Sequence, residues 1–263
     1  MKKYLILLLL LSVKVWAQSQ IANEKVENFI NYLKPYTENP EKLSAIDKLN
    51  DEEIKRYVKM RYEAFEDDIK LIITKNLEQA KEVEKTRKGQ RTAVADGRFL
   101  NMLEEKYSKN FGEFISIPYL VRARITAIKD STITSEGGVS PQIKMITKVL
   151  VFEVLDVLRG TKEFQTGKTY KCYYGNTWRK FGSDDFAKGG TYLLALDPRL
   201  QPDTREWSTA LITYQDDNSG LYKIEDGNLI DKYNFFSLGN IVPWTEFVSG
   251  YNKKVEAIKN GEF

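Results

Sequence analysis

TKVLVFEVLDVLRG, residues 147–160, is the part of the chain richest in strand-forming residues. Valines recur through it, bulky apolar residues lie between them, and Arg159-Gly160 ends it. This nearly continuous apolar character predicts a strand with both faces covered. The residues upstream are typical of helices, and those downstream to about residue 242 are typical of short strands and turns. The chain is therefore predicted to be an α+β protein.

The first seventeen residues, MKKYLILLLLLSVKVWA, have the order of a secretory signal peptide. Lys2 and Lys3 precede an apolar run from Tyr4 to Val13, and Ala17 supplies the small residue before a cleavage site. We expect cleavage after Ala17 and no membrane span afterwards, because the run is too short to cross a bilayer comfortably. The expected location is the periplasm or the exterior of the cell. An uncleaved anchor is the alternative, which Lys14 disfavours.

Composition narrows the classes of function. Three of the 40 basic residues and none of the 37 acidic ones lie in the predicted signal peptide, so the +3 charge belongs to that peptide. A nearly neutral mature chain does not favour nucleic acid as a partner. The absence of histidine excludes histidine-dependent nucleophiles and histidine metal ligands. The single cysteine, Cys172, excludes an intrachain disulfide, and its setting in TYKCYY favours a buried thiol over an intermolecular bond.

Residues 18–113 are predicted to be helical. Apolar residues at one-face spacing indicate an amphipathic helix over residues 23–34, which Pro35 is expected to close. Asn50 is expected to cap the next helix, with Glu53 as its reciprocal partner three residues later.

A long apolar stripe follows from Ile54 to Val83, in a helix that is predicted to run to about residue 85. Packing against neighbouring helices is the favoured role of this stripe. A coiled-coil seam that makes a homodimer is the alternative. A last helix of this region is expected over about residues 97–108.

Residues 114–242 are predicted to form a small barrel or sandwich of at least six short strands. YLVRARITAI, residues 119–128, alternates apolar and polar residues and predicts a half-buried strand. A long loop is expected over residues 130–142, and Asp226-Gly227 indicates a tight hairpin. A C-terminal helix, residues 243–263, is expected to pack on the barrel through one apolar face. That face comprises Trp244, Phe247, Val248, Tyr251, Val255 and Ile258. Gly261 is placed just past its end.

Three motifs together resemble those of a known family. YLVRARITAI, VLVFEVLDVLRG and FAKGGTYLLAL follow one another as in secreted OB-fold proteins related to the tissue inhibitors of metalloproteinases and the netrin module. The resemblance covers about residues 117–215 and implies a small OB-like antiparallel β-barrel over residues 114–242. Inhibitory members ligate a protease's zinc through an N-terminal cysteine, which this chain lacks at position 18, so that chemistry is not carried over. The residues that match core and turn positions are Phe152, Val154, Leu158, Gly160, Phe186, Gly189, Tyr192 and Leu193.

Aromatic side chains crowd one predicted strand and the loop after it. An OB-like barrel binds ligands on one face and through its loops. Tyr174, Trp178, Arg179 and Phe181 are therefore the predicted ligand-binding residues, with rings that suit stacking. Alternate tyrosines of a strand are more often core residues, which is the structural alternative.

A hydrolase that uses two carboxylates needs no histidine, so this is the only enzymatic route for which the sequence supplies residues to name. The candidates lie in or beside loops that could converge, and a pair of carboxylates is enough for a glycoside hydrolase. They are Asp184, Asp185 and Asp197, with Asp203 and Glu206. Adjacent aspartates in a loop with glycine and serine are more typical of turns. The turn DDNSG, residues 216–220, lacks the spacing and the distant glutamate of a calcium loop.

The sequence thus favours a secreted, non-enzymatic binding or protein-interaction module. A protein partner is favoured, and a glycan is the second candidate. The alternative functions are an extracellular enzyme inhibitor and a carboxylate-dependent hydrolase. Self-association through the Ile54–Val83 stripe is a third. No catalytic residue, metal ligand or cofactor is predicted.

Overall fold

A computed structural model describes residues 24–67, 69–86, 92–135, 143–174, 186–200, 207–211 and 221–263. The predicted signal peptide lies outside these residues. The chain divides into two compact units, each treated by itself. The helical unit comprises Met1–Ile115 with Glu256–Phe263, and the sheet unit comprises Ser116–Val255. In the described part of the chain, no helix is both long and apolar enough to cross a membrane.

The helical unit begins with helix α1, described over residues 24–38. Pro35 was expected to close this helix, and that expectation was wrong. The helix continues past it, because Tyr36 packs edge-on against Phe99 with ring centroids 5.1 Å apart and the Thr37 hydroxyl donates to the Lys34 carbonyl. The other helical elements before the sheet are α2 (Pro40–Ser44), a 3-10 turn (Ile46–Lys48), α3 (Asp51–Asp67), α4 (Ile69–Thr86), α5 (Thr92–Lys106) and α6 (Lys109–Ser116).

The capping box predicted for α3 is confirmed. The Asn50 side chain accepts from the Glu53 amide at 3.0 Å, and the Asn50 amide donates to the Glu53 carboxylate at 3.2 Å. Two N–H groups at the start of the chain's clearest helix are therefore satisfied.

The apolar stripe is buried inside the helical unit through its first half. Ile54, Val58, Tyr62, Ile69 and Ile72 are each at most 5% exposed, whereas Leu77 is 43% exposed. Their burial within a single chain agrees with packing against neighbouring helices.

The sheet unit holds strands β1 (Tyr119–Ser135), β2 (Ile143–Arg159), β3 (Thr169–Tyr174), β4 (Thr191–Leu200), β5 (Trp207–Leu211), β6 (Leu221–Glu225), β7 (Asn228–Ile230) and β8 (Ile241–Pro243). Their order is β1-β2-β3-β5-β4-β6-β7-β8 among the described residues, and β1 also pairs with β4. These pairings close a ring of β1 to β5, from which β6, β7 and β8 extend beyond β4.

The sheet is mixed, which corrects the expectation of a purely antiparallel one. β3 and β5 pair in parallel, with Cys172 opposite Thr209. Cys172 is fully buried there, and burial raises the pKa of its thiol. The sequence contains no second cysteine to pair with it.

The stretch at residues 147–160 falls in β2, as predicted, but only one of its faces is fully covered. Leu150, Phe152 and Val154 are completely buried, whereas Val151 and Leu155 between them are half-buried. Register decides this difference, because successive side chains of a strand point to opposite faces.

The last helix, α7 (Trp244–Asn260), begins directly after Pro243. Phe247 and Tyr251 of its predicted apolar face are buried, and Trp244 and Val248 are half-buried. Gly261 follows with a φ of 72°, and the Glu262 amide donates to the Ala257 carbonyl. The predicted glycine stop is confirmed.

Candidate ligand-binding groove

Most of the predicted ligand platform lies outside the described residues. This applies to Trp178, Arg179 and Phe181, whereas the backbone of Tyr174 ends β3 opposite Lys148.

The carboxylate candidates divide in the same way. Asp184 and Asp185 lie outside the described residues, as does the turn at residues 216–220. Asp197 lies in β4, paired with Ala210 of β5. Among the described residues, no group of three or more acidic or cysteine side chains is placed to hold a metal ion.

An open groove lies in the sheet unit. Its volume is about 690 Å³, within the range of roughly 300–1,000 Å³ that is usual for ligand pockets. The end of β2, the turn between β2 and β3, and the first half of α7 form its walls. We call it the α7 groove; it is lined by Asp156, Val157, Leu158, Thr161, Phe164, Thr166, Trp244, Thr245, Val248 and Asn252.

Three side chains fix one wall of the α7 groove. Arg122 of β1 lies opposite Asp156 of β2 in the strand register, and their Nε and Oδ2 atoms are 3.0 Å apart. The same guanidinium lies over the Trp244 ring, 4.8 Å from its centroid. Arg122 therefore contacts both the carboxylate, through an ion pair, and the indole, through a cation–π contact.

The β2–β3 turn forms a second wall. Gly160 directly follows β2 with a φ of 93°, and its carbonyl accepts from the amides of Glu163 and Phe164. The Phe164 ring is buried edge-on against Tyr119 and Tyr170, at centroid distances of 5.3 and 4.9 Å. The turn is thus held by its own hydrogen bonds and by an aromatic anchor beneath it.

A buried carboxylate, Asp231, holds the segment that packs against α7. Asp231 accepts hydrogen bonds from the amides of Phe235 and Phe236, both at 2.9 Å. Phe236 then packs edge-on against Phe247 of α7, with centroids 5.0 Å apart. Burial is the largest effect on the pKa of Asp231 and raises it. The amide hydrogen bonds and Lys254 act in the opposite direction without cancelling burial, so the pKa is raised overall.

The electrostatics of the α7 groove are nearly neutral. Asp156 is the only ionisable residue among those that line it, and Arg122 lies beside it with the opposite charge. The other polar lining residues are three threonines and Asn252, all exposed. The arrangement can donate and accept hydrogen bonds next to an aromatic surface, and it has no histidine or cysteine nucleophile.

The helical unit contains a buried polar cluster of its own, formed by Tyr57, Arg61 and Asp96. Asp96 accepts from the Tyr57 hydroxyl at 2.5 Å and from Arg61 Nε at 2.9 Å, and Arg61 Nη1 donates to the Ile115 carbonyl at 2.7 Å. Burial raises the pKa of Tyr57 well above its ordinary value, and the Asp96 charge raises it further. Each group is satisfied by the others, and this favours a structural role.

Sequence reasoning missed the α7 groove. It placed Trp244 on the apolar face of a helix and Arg122 on the wet face of a strand, and treated neither as a site residue. An arginine on one strand and an aspartate on the next were visible in the sequence, but no local spacing connects either of them to Trp244.

In comparisons with known proteins, the chain matches no protein-family model, no curated protein and no solved structure.

Proposed function

We propose that this chain is a secreted, non-enzymatic binding module and that the α7 groove is its ligand site. The observation that carries the proposal is the open groove with a half-buried tryptophan, which Arg122 braces against Asp156. A half-buried aromatic ring beside exposed hydrogen-bonding groups is a common arrangement in ligand sites.

We propose an OB-like barrel as the scaffold. The pairing of β1 to β5 in a ring supports this proposal, because an OB fold is a partly open barrel of five strands. The relationship to the tissue-inhibitor and netrin-module proteins remains a proposal, carried by the three motifs in the sequence.

The composition of the groove favours binding over hydrolysis. A glycoside hydrolase of the usual kind needs two carboxyl groups roughly 5–10 Å apart across the scissile bond. The α7 groove is lined by one carboxylate, Asp156, which is already paired with Arg122. This lining therefore supplies only one of the two carboxyl groups that such a hydrolase needs.

The size of the groove favours a small ligand or a short segment of a larger partner. A stable protein–protein interface covers roughly 800 Å² on each partner, which is far more than the walls of one groove provide. A protein partner, favoured by the sequence, would therefore place a short segment here and make its other contacts elsewhere.

An affinity capture with matched variants tests the proposal. Tagged chain, residues 18–263, is incubated with envelope and culture-fluid extracts, and bound protein and glycan are both identified. We expect Trp244→Ala and the groove-filling Thr166→Arg to abolish capture. Tyr233→Ala, which alters an exposed aromatic residue of the same unit outside the groove lining, is expected to leave it unchanged.

The two groove variants separate loss of the ligand from loss of the fold. Thr166 is exposed, so its replacement does not disturb the core, and near-UV circular dichroism checks each variant. Capture that survives both groove variants, or no capture by the unmodified chain, would overturn the proposal.

A further inference from the structure

The polar groups of the α7 groove are mostly uncharged. Thr161, Thr166 and Thr245 offer hydroxyl groups, and Asn252 offers an amide with both donors and an acceptor. All four are exposed, so a ligand that reaches them exchanges hydrogen bonds with water for hydrogen bonds with protein. The chemistry that matches this set carries many hydroxyl groups.

The aromatic wall adds a flat apolar surface. Trp244 is half-buried, with the Arg122 guanidinium over its ring and Phe247 at a centroid distance of 5.5 Å. A ring held on its neighbours loses little freedom when a ligand stacks on it. The ring of a sugar, with C–H bonds on its face and hydroxyl groups around its edge, suits this surface and the polar groups beside it.

The charge balance argues against ionic ligands. Asp156 is 45% exposed and would repel a phosphate, sulfate or carboxylate, and no lysine or arginine is among the lining residues. A cationic ligand would have to compete with Arg122, which is already 3.0 Å from the same carboxylate. A neutral ligand is not repelled by Asp156 and does not have to compete with Arg122 for it.

The polarity of the lining favours a sugar over a peptide anchor. Anchor residues of peptides dominate binding when they fill pockets from which water is fully excluded. Half of the ten lining residues here are polar, and four of these are exposed. Water therefore reaches the polar side chains of the groove, and a ligand with many hydroxyl groups can replace that water.

We infer that the α7 groove binds a neutral oligosaccharide, with one sugar ring packed against the exposed part of Trp244 and its hydroxyl groups bonded to Asp156, Asn252 and the threonines. The inference rests on the function proposed above and names the class of its ligand.

Isothermal titration calorimetry on the chain 18–263 tests the inference. The neutral probes are tetrasaccharides of glucose, mannose and N-acetylglucosamine, each in α- and β-linked form where both are available. A heparin tetrasaccharide is the anionic probe, and a hexapeptide library is the peptide probe. We expect saturable binding of at least one neutral probe and none of heparin. The affinity should be the same in 50 and 500 mM NaCl, because no ionic contact forms.

Variants assign the binding to the groove. Loss of one stacked ring weakens stacking contacts roughly 5–150-fold, so Trp244→Ala should weaken binding by about that factor. Trp244→Phe keeps a smaller ring, so its affinity should lie between that of the unmodified chain and that of Trp244→Ala. Tyr233→Ala should bind as tightly as the unmodified chain.

The outcomes separate this inference from the proposed function. Binding of the hexapeptide library that Trp244→Ala abolishes, with no neutral sugar bound, would overturn the sugar assignment and leave the groove as a ligand site. Sugar binding that Trp244→Ala and Thr166→Arg leave unchanged would overturn it as well, because the sugar would then bind elsewhere. No binding of any probe, together with failed capture, would overturn both.

Discussion

Among single residues, Arg61 of the helical unit is a buried cation. It is 3% exposed, ion-paired with Asp96, and its guanidinium also lies 4.0 Å from the centroid of the Phe65 ring. Burial is the largest single effect on the pKa of Arg61 and lowers it, but the charges and hydrogen bonds of Asp96 and Tyr57 together outweigh burial, so the pKa is raised. The cation therefore stays charged in the interior and depends on its partner.

Removing that partner should be costly. We expect Asp96→Ala to lower the free energy of unfolding by about 3–5 kcal/mol, because it leaves a buried charge unpaired. Glu38→Ala breaks the exposed Lys34–Glu38 pair and should change it by less than about 0.5 kcal/mol. Urea unfolding followed by far-UV circular dichroism measures both variants. Equal small effects would show that Arg61 finds another partner or water.

Asp231 should make stability depend on pH in a defined direction. Its raised pKa means that, above the unfolded value of about 3.9, the folded chain holds this proton more tightly than the unfolded chain. Its contribution to stability therefore falls as pH rises from about 4 through the raised pKa, and is constant above it.

Asp231→Asn provides the reference, because asparagine does not titrate. We expect the difference in unfolding free energy, unmodified chain minus variant, to decrease as pH rises from about 4. Urea unfolding at several pH values measures this difference. An increase with pH would mean that the Phe235 and Phe236 amides, together with Lys254, outweigh burial and lower the pKa.

Among the elements, the β2–β3 turn depends on two glycines with different surroundings. Gly160 has a φ of 93°, and a Cβ there would lie 2.6 Å from Tyr119 Cδ1. Gly167 has a φ of 78°, but a Cβ there would meet nothing within 4 Å. The two positions share the backbone cost of a left-handed conformation and differ in the steric cost.

Alanine at each position should separate the two costs. Gly167→Ala should lower the unfolding free energy by about 1–2 kcal/mol through backbone strain alone. Gly160→Ala should lower it by about 2–4 kcal/mol, because it adds the collision with Tyr119. Thermal and urea unfolding measure the ranking. Equal losses would show that the Tyr119 ring moves aside without cost.

For the molecule as a whole, the apolar stripe decides whether self-association is needed to cover it. Ile72 is 1% exposed within a single chain, and Leu77 of the same helix is 43% exposed. We expect the unmodified chain to have the mass of one chain by light scattering after size exclusion. Ile72→Lys should lower the unfolding free energy by about 3 kcal/mol or more, since it buries an unpaired charge.

Leu77→Lys is the matched control on α4. It should change stability by less than about 0.5 kcal/mol and leave the mass unchanged. A dimer mass for the unmodified chain that Leu77→Lys abolishes would instead support the coiled-coil alternative.

Local sequence patterns determined much of the element structure. The capping box at Asn50, the end of α7 at Gly261 and the tight hairpin at Asp226-Gly227 each depend on contacts within a few residues. The hairpin forms between β6 and β7, with φ values of 49° and 77° at its two central residues. A short motif is sufficient in these cases because the partners are close along the chain.

The tertiary structure alone decided the strand order and the α7 groove. The parallel pairing of β3 with β5 joins segments between which another strand intervenes, and strand alternation carries no information about it. Arg122 meets Asp156 because of a register and meets Trp244 because of the path of a helix that begins over a hundred residues later. By itself the sequence determined that helices precede the strands, that a helix ends the chain, and where the Asn50 cap, the Gly261 stop and the Asp226-Gly227 hairpin lie. The site arose from contacts between distant segments, which only the folded chain brings together.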